Sequence, residues 1–315
     1  MDNIITLEEH FISDAYLATN PPYAGQLLDK LRDVGSMRLE HMNAGNVSEQ
    51  VISHVPADMN PECCRAANDE LAAAITKHKR LAGLAALPMS DPEAASSELR
   101  RCMQVHRFVG AMIDNHSAGM YYDGQAYNAF WSTAQELDAP IYLHPTWPTE
   151  TIKSALYTGN FPPSAATGLG ASAFGWHSDV ALHVLRLFAS GLFDRFPRLK
   201  LIIGHMGEML PFMLERIAQQ SARWAHRERG FKQVWDANVW ITTAGVWSVD
   251  PMACILRNTK IERILYSVDY PFESNEAGLE FLENLRESGL VDEDGMGKIV
   301  SGNAIALLGL EGRRS

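Results

Sequence analysis

The chain has 315 residues, of which 46% are hydrophobic and 21% charged. This composition supports a large buried core and excludes a disordered or fibrous protein. The net charge of −11 argues against a nucleic-acid partner, because such a surface needs clustered Lys and Arg.

The predicted elements alternate along the whole chain, with short apolar runs followed by stretches of helical periodicity. The predicted strands are 4–8, 50–54, 81–87, 110–114, 140–144, 199–205, 239–243 and 264–269. The clearest predicted helices are 61–77, 91–105, 127–137, 179–190, 209–220 and 275–288. Eight strands joined by helices predict an α/β fold of the (β/α)8 TIM barrel type, as a single domain over residues 1–315.

One long segment, 146–175, has no periodicity and is rich in Pro, Gly, Ser and Thr. It follows the fifth predicted strand on the face where barrels carry their active sites. We expect it to form part of the active-site wall.

The cellular setting is predicted from what the sequence does not contain. No apolar run reaches about 18 residues and no basic, apolar leader opens the chain, so we expect no membrane partner. Cys63, Cys64, Cys102 and Cys254 have no C-x-x-C spacing, and the adjacent pair suits neither a relaxed disulfide nor a zinc knuckle. Reduced thiols and a cytoplasmic protein are therefore expected.

Polar residues that can bind metal lie at the carboxyl ends of several predicted strands. They are Glu8, His144, His205 and Asp269, with His10 two residues beyond Glu8. In a barrel these ends meet at one mouth, and the period-2 alternation of a strand places Glu8 and His10 on one face. Carboxylates and imidazoles suit Zn²⁺, Mn²⁺ or Mg²⁺, with Zn²⁺ favoured. The alternative for any single histidine is a structural, hydrogen-bonded role.

Four groups of motifs carry a family resemblance over nearly the whole chain. They are Leu7-Glu8-Glu9-His10-Phe11, Tyr142-Leu143-His144-Pro145, Gly191-Leu192-Phe193-Asp194-Arg195-Phe196-Pro197 with Gly204-His205-Met206-Gly207-Glu208, and Ser267-Val268-Asp269-Tyr270-Pro271-Phe272-Glu273. Together they resemble the decarboxylase branch of the amidohydrolase superfamily, in particular the non-oxidative decarboxylases of ortho-hydroxybenzoates such as γ-resorcylate, 2,3-dihydroxybenzoate and salicylate. The sequence departs from relatives at Thr146-Trp147-Pro148 and in the shorter 115–122 segment, which affects the expected substrate rather than the reaction.

The resemblance implies a set of residue roles. Glu8, His10, His144 and Asp269 would bind one divalent ion, without an organic cofactor, and Asp269 would also donate a proton to the substrate. His205 and Glu208 would form a supporting pair, and Arg216 matches a substrate-contacting arginine. It also implies a homodimer or homotetramer. From the residues alone, Arg216 could equally make only a surface ion pair, because it lies in a predicted helix.

Decarboxylation of an ortho-hydroxybenzoate needs a positive centre, an acid over the ring carbon and a dry pocket. Aromatic residues near the predicted mouth could sandwich a planar ring: Phe11, Trp147, Phe174, Trp176, Trp247 and Phe272. Of these, Phe11, Trp147, Trp176 and Phe272 are the predicted substrate contacts, whereas Phe174 and Trp247 could equally be core. We interpret His54, His177 and His183 as structural.

Two other classes of function remain open. A metal-dependent hydrolase of amides or lactones would use the same barrel, but hydrolases usually carry His-x-His on the first strand, and the fourth strand here lacks a metal-bridging lysine. A non-enzymatic binding barrel would leave the convergent ligands unexplained. The sequence favours a decarboxylase, then a hydrolase, then a binding protein.

Overall fold

A computed structural model describes residues 3–313 and shows a barrel of parallel strands surrounded by helices. The strands are β1 (Ile4–Phe11), β2 (Val47–His54), β3 (Leu81–Gly83), β4 (Ala85–Ala86), β5 (Ala111–Asp114), β6 (Ile141–His144), β7 (Leu201–Ile203), β8 (Val239–Thr242) and β9 (Ile264–Leu265). They form two parallel sheets, β1-β2-β3 and β4 through β9 in chain order. The predicted (β/α)8 barrel is confirmed.

Backbone hydrogen bonds join the two sheets into one closed wall. Leu84, which separates β3 from β4, donates its N–H to the carbonyl of Ile52 at 2.8 Å, so β3 and β4 act as one interrupted strand. On the other side, the N–H of His10 donates to the carbonyl of Tyr270 at 2.6 Å. Eight effective strands therefore surround the barrel axis.

Successive residues of the strands belong alternately to two apolar clusters, because their side chains point alternately into the barrel and out toward the helices. One cluster contains Ile5, Val51, Tyr142, Ile202 and Trp240, whereas their chain neighbours belong to the larger cluster beneath the helices. The first cluster also includes Leu307 and Leu308 of the C-terminal helix. These contacts close the barrel interior at the end away from the strand carboxyl termini.

Helices occupy most of the connections. Those before β6 are α1 (Asp14–Leu17), α2 (Gly25–Arg32), α3 (Ser36–Ala44), α4 (Pro61–Ile75), α5 (Pro92–Arg101) and α6 (Asn128–Glu136). Those after it are α7 (Glu150–Ile152), α8 (Pro163–Gly170), α9 (Gly175–Ala189), α10 (Leu192–Arg195), α11 (His205–Glu208), α12 (Leu210–Ser221), α13 (Phe231–Asn238), α14 (Val249–Asn258), α15 (Asn275–Glu287), α16 (Glu293–Gly297) and α17 (Asn303–Leu308). Helix α5 has Asp91 as its N-cap and Pro92 as its first residue. The Asp91 side chain accepts hydrogen bonds from the N–H groups of Glu93 and Ala94.

Several predicted boundaries were wrong. The predicted strand 264–269 ends at Leu265, and 199–205 shortens to Leu201–Ile203, because the polar residues beyond them belong to irregular turns at the barrel mouth. The segment 146–175 contains α7, α8 and a π-helical turn at Lys153–Tyr157 instead of being irregular throughout. Helix α9 begins four residues before the predicted start at 179, at Gly175.

Within 3–313, no helix is long and apolar enough to cross a membrane. All four cysteines are free thiols, with Cys64 and Cys102 buried.

Candidate metal centre

The first strand brings two potential ligands to the barrel mouth through a bulge. Leu7 pairs with Val51 and Glu9 with Ile52, so Glu8 has no partner on β2, and its φ of 77° lies in the left-handed region. The simple alternation used in the sequence prediction is therefore interrupted at this residue. The bulge nevertheless leaves Glu8 and His10 facing the same group of side chains.

Glu8, His10, His144 and Asp269 offer four ligand atoms that lie within 4.8 Å of one another. His10 Nε2 is 3.1 Å from Asp269 Oδ1, and His144 Nε2 is 3.2 Å from Glu8 Oε1. Glu8 Oε1, His10 Nε2 and Asp269 Oδ1 are buried, and none has a hydrogen-bond partner among residues 3–313. Because buried polar atoms are normally satisfied, this donor set fits a divalent cation, which would compensate all of these atoms together.

The other oxygen of Glu8 is held by the barrel interior. Glu8 Oε2 accepts hydrogen bonds from the Tyr142 hydroxyl and, at 3.3 Å, from the Thr242 hydroxyl. A Cβ at Gly204 would lie 3.0 Å from Glu8 Oε2, so glycine leaves room for the carboxylate. Although burial raises the pKa of Glu8, the charges of His205 and His144 outweigh it and lower the pKa overall. Glu8 is thus an oriented carboxylate.

The two ligand imidazoles are each anchored by their far nitrogen. His10 Nδ1 lies 3.3 Å from the His54 carbonyl, and His144 Nδ1 lies 2.7 Å from the Pro145 carbonyl. Donation from each Nδ1–H leaves Nε2 facing the centre with its lone pair. Burial lowers the pKa of His10 to about 3, which keeps the ring neutral and able to bind a cation.

Asp269 is placed differently from the other three residues. It has a φ of 74°, and its side chain is 16% exposed. Burial and the charge of Glu8 raise its pKa to about 8, against the opposing charges of His205 and His144. Without a cation, Asp269 therefore favours its protonated form near neutral pH.

His205 and Glu208 lie on the short element α11, which follows β7 and has the backbone conformation of a left-handed turn. His205, Met206, Gly207, Glu208 and Met209 all have positive φ, between 47° and 84°. Left-handed backbone costs on the order of 1–2 kcal/mol for each non-glycine residue. At Gly207 a Cβ would lie 2.8 Å from the Pro211 ring, so this position also excludes a side chain sterically.

The turn is held by charge pairing. His205 Nδ1 lies 2.8 Å from Glu208 Oε1, and His177 Nδ1 lies 2.6 Å from Glu208 Oε2. Burial lowers the pKa of His205, but Glu208 and Glu8 outweigh it and raise the pKa to about 10. For Glu208 the directions are reversed. Burial raises its pKa, but the charges of His205 and His177 and their hydrogen bonds lower it to about 2. His205 Nε2 then points toward Glu8 Oε1 at 3.7 Å and Asp269 Oδ2 at 4.0 Å, outside the four-ligand group.

A cavity of about 330 Å³ opens beside the ligand group. His144, His205 and Asp269 lie at its base, and Trp147, Trp176 and Phe272 contribute aromatic walls. The Trp147 and Trp176 rings are 5.1 Å apart, edge to face, and the Phe272 ring is 5.6 Å from that of His10. Trp147 and Ser172 bring the 146–175 segment to this cavity, in keeping with its predicted place in the wall.

Other predicted contacts lie elsewhere. Phe11 is 2% exposed and packs edge to face on His54 in the core, because the strand pleat turns it away from the cavity. Arg216 is exposed on the outer helix α12, outside the cavity. Trp247 packs on the core and donates to Glu273 at 3.2 Å, whereas Phe174 is 49% exposed. Within a single chain, therefore, Phe11 and Arg216 do not reach the cavity.

Sequence reasoning did not place three polar side chains at the centre. His177, interpreted as structural, contacts Glu208, and its ring is 4.7 Å from that of His205. Tyr142 contacts Glu8, and its position two residues before His144 on the same strand was an available signal. Glu273 lines the cavity beside Asp269. His54 and His183 do have structural partners, Ser13 and Asn115.

Comparisons with known proteins show the family to which the chain belongs. The amidohydrolase family model matches residues 21–310. The decarboxylase orsB of Emericella nidulans is 50% identical and aligns over 97% of this chain and 96% of its own length. A γ-resorcylate decarboxylase of Polaromonas sp. strain JS666 is 35% identical over 96% of this chain and 98% of its own length.

A solved structure gives the same result. A dihydroxybenzoic acid decarboxylase of Polaromonas sp. JS666, with bound manganese and the inhibitor 2-nitroresorcinol, superposes with a TM-score of 0.87. It is 33% identical, and the match covers 98% of each chain. The chain therefore belongs to the amidohydrolase family, with decarboxylases of hydroxybenzoic acids among its relatives.

Proposed function

We propose that the protein is a carboxy-lyase that removes carbon dioxide, without oxidation, from an ortho-hydroxybenzoic acid. The observation that carries this proposal is the position of Asp269. It belongs to the four-ligand group, and it also lines an aromatic cavity. The cation site that would bind the substrate oxygens is therefore adjacent to the acid, Asp269, that would protonate the ring carbon of the substrate.

The chemistry requires protonation before carbon–carbon cleavage. Direct loss of carbon dioxide from a benzoate would leave an electron pair in the ring plane, where the π-system does not accept it. An ortho hydroxyl donates electrons into the ring, so the carbon that bears the carboxylate takes a proton from Asp269. The resulting non-aromatic ketone expels carbon dioxide and recovers aromaticity, and the same steps in reverse carboxylate a phenol.

A divalent cation held by Glu8, His10, His144 and Asp269 would supply positive charge for the phenolate and carboxylate oxygens of the substrate. Zn²⁺ is our first candidate on ligand chemistry, with Mn²⁺ and Mg²⁺ as alternatives. Manganese is the metal in the Polaromonas relative. No organic cofactor is needed in this scheme.

The remaining residues serve the ring and the proton. Trp147, Trp176 and Phe272 would sandwich the ring and exclude water, and the Trp176 indole N–H has no hydrogen-bond partner among the residues that the structure describes. His205, fixed by Glu208, would return a proton to Asp269 after each turnover. One proton is consumed for each carbon dioxide released, so such a supply is required.

The proposed oligomer explains where Arg216 could act. Met209, Phe212 and Met213 are 44%, 84% and 44% exposed at and beside the start of α12. Arg216 lies one turn after Phe212 on the same helix face. We infer that this face pairs with a second copy in a homodimer or homotetramer, in which Arg216 would approach a substrate across the interface. A Phe212→Glu variant should lower the mass measured by light scattering, from dimer to monomer or from tetramer to dimer.

A product screen tests the reaction. Purified, metal-analysed protein is incubated with 2,6-dihydroxybenzoate, salicylate and 4-hydroxybenzoate, and carbon dioxide and the residual acid are measured. We expect release from the ortho-hydroxy acids, none from 4-hydroxybenzoate, and solvent deuterium at the former carboxyl carbon. Turnover of lactones or amides without gas release would identify the hydrolase alternative instead.

A further inference from the structure

Glu9, between two proposed ligands, points away from the cavity and is completely buried. Its carboxylate is directed at the loop that carries Asp269. Oε1 accepts a hydrogen bond from the N–H of Val268 at 3.1 Å, and Oε2 accepts one from the N–H of Tyr270 at 3.0 Å. The two backbone groups flank Asp269, so one carboxylate holds the peptide on both sides of the proposed acid.

The same carboxylate has two further donors. The Ser267 hydroxyl lies 3.4 Å from Oε1, and Gln50 Nε2 lies 3.4 Å from Oε2. Gln50 is itself oriented by Arg38, which is fully buried and donates to Gln50 Oε1 at 3.2 Å. Because a guanidinium only donates, the amide oxygen of Gln50 must face Arg38, and its NH₂ group must then face Glu9.

Arg38 extends this network back to the first strand. Its other terminal nitrogen donates to the carbonyl of His10 at 2.5 Å, and its guanidinium lies 4.9 Å from the centre of the Tyr270 ring. Arg38, Gln50 and Glu9 thus connect the backbone at His10 with the backbone at Asp269. The side chains of His10 and Asp269 are themselves in contact, with Nε2 of His10 3.1 Å from Oδ1 of Asp269.

We propose that Glu9 is a positioning residue that holds Asp269 in its left-handed conformation, aimed at both the cation site and the substrate. Each oxygen of Glu9 accepts a hydrogen bond from one of the two backbone N–H groups that flank Asp269, so the position requires two acceptor oxygens. A glutamine of the same shape would turn an NH₂ group against a backbone N–H, and one side of Asp269 would be released. Glu9 itself touches neither substrate nor cation.

The test is a double-mutant cycle between Glu9→Gln and Asp269→Ala, with Mn²⁺ affinity measured in both backgrounds and steady-state kinetics measured for the single Glu9→Gln variant. In the wild-type background, Glu9→Gln should weaken Mn²⁺ binding and lower kcat by about tenfold or more, the range typical of residues that orient a ligand. The KM should change by less than about threefold, because the cavity walls are untouched. In the Asp269→Ala background, Glu9→Gln should change Mn²⁺ affinity by less than about twofold, because the side chain that Glu9 positions is absent.

Glu98→Gln is the matched control. Glu98 is also a buried carboxylate held by hydrogen bonds, from Asn68 and Arg101, but it lies on α5 away from the cavity. The Glu98→Gln substitution should lower the Tm of the protein while leaving its Mn²⁺ affinity and kcat unchanged. If Glu9→Gln does not fold, Glu9→Asp, which keeps the charge but is too short to reach both N–H groups, replaces it in the same cycle.

Two results would overturn the proposal: equal losses of Mn²⁺ affinity in both backgrounds, or wild-type affinity and kcat in Glu9→Gln. The kinetic arm rests on the decarboxylation proposed above, whereas the Mn²⁺ arm does not. A wild-type protein that binds Mn²⁺ but turns over no hydroxybenzoate would refute the proposed function and leave the cycle on Asp269 interpretable.

Discussion

Replacing Asp269 with asparagine separates its two proposed roles, because an amide keeps the shape and one coordinating oxygen but has no acidic proton. The structure indicates little steric disturbance. Oδ1 lies 3.1 Å from His10 Nε2 and Oδ2 lies 4.0 Å from His205 Nε2, and an amide group occupies the same positions. We therefore expect a folded variant that still binds substrate.

The size of the loss follows from the lack of a substitute acid. Glu8 belongs to the same ligand group, but its pKa is lowered, and its Oε2 accepts hydrogen bonds from Tyr142 and Thr242. Two other titratable groups lie near Asp269: His205 is fixed by Glu208, and Glu273 accepts a hydrogen bond from the Trp247 indole. An essential general acid contributes about a hundredfold or more, or about 2.7 kcal/mol or more of barrier at about 1.36 kcal/mol per tenfold.

The assay is single-turnover decarboxylation of 2,6-dihydroxybenzoate, with metal content and substrate affinity measured on the same samples. Asp194→Asn, an equally conservative change outside the cavity, serves as the control. A variant that keeps its ion and decarboxylates at a near wild-type rate would refute the reasoning. Asp269 would then be only a ligand, and His205 would become the candidate acid.

Three further predictions follow from the centre. Chelation should remove about one divalent ion per chain together with activity, and full activity in a sample shown by elemental analysis to be metal-free would contradict the four-ligand site. His205→Asn should cost less in kcat than Asp269→Asn, because water can partly replace a proton carrier, and the two kcat values decide this directly. The third concerns pH. The pKa of His205 is raised from 6.5 to about 10, so its stabilisation of the metal-free protein is full below pH 6.5 and is lost as the pH rises through 10. The pKa of Glu208 is lowered from 4.5 to about 2, so its contribution is full above pH 4.5 and is lost as the pH falls through 2. In the Glu208→Gln variant, the free energy of unfolding should therefore decline less between pH 6.5 and 10. Urea titrations at several pH values measure this free energy, and the same decline as in the wild type would refute the pairing.

The fold and the ligand group could be predicted from the sequence because both are recorded in local patterns. The alternation of branched apolar runs with helical stretches indicates a parallel barrel, and parallel strands bring their carboxyl ends to one mouth. Glu8, His144 and Asp269 could therefore be grouped even though they are far apart in the chain. The aromatic residues that follow those strand ends, Trp147 and Phe272, were found for the same reason.

The direction of individual side chains was decided only by the tertiary structure. A bulge at Glu8 and a left-handed turn from His205 to Met209 depend on φ at single residues, which long-range contacts stabilise against local preference. Those contacts bring His177 to Glu208 and turn Glu9 toward the loop of Asp269. The barrel pleat likewise places Phe11 in the core, and the outer position of α12 exposes Arg216. Residue types and strand order thus determined which groups could meet, and backbone geometry at a few strained positions determined which of them do.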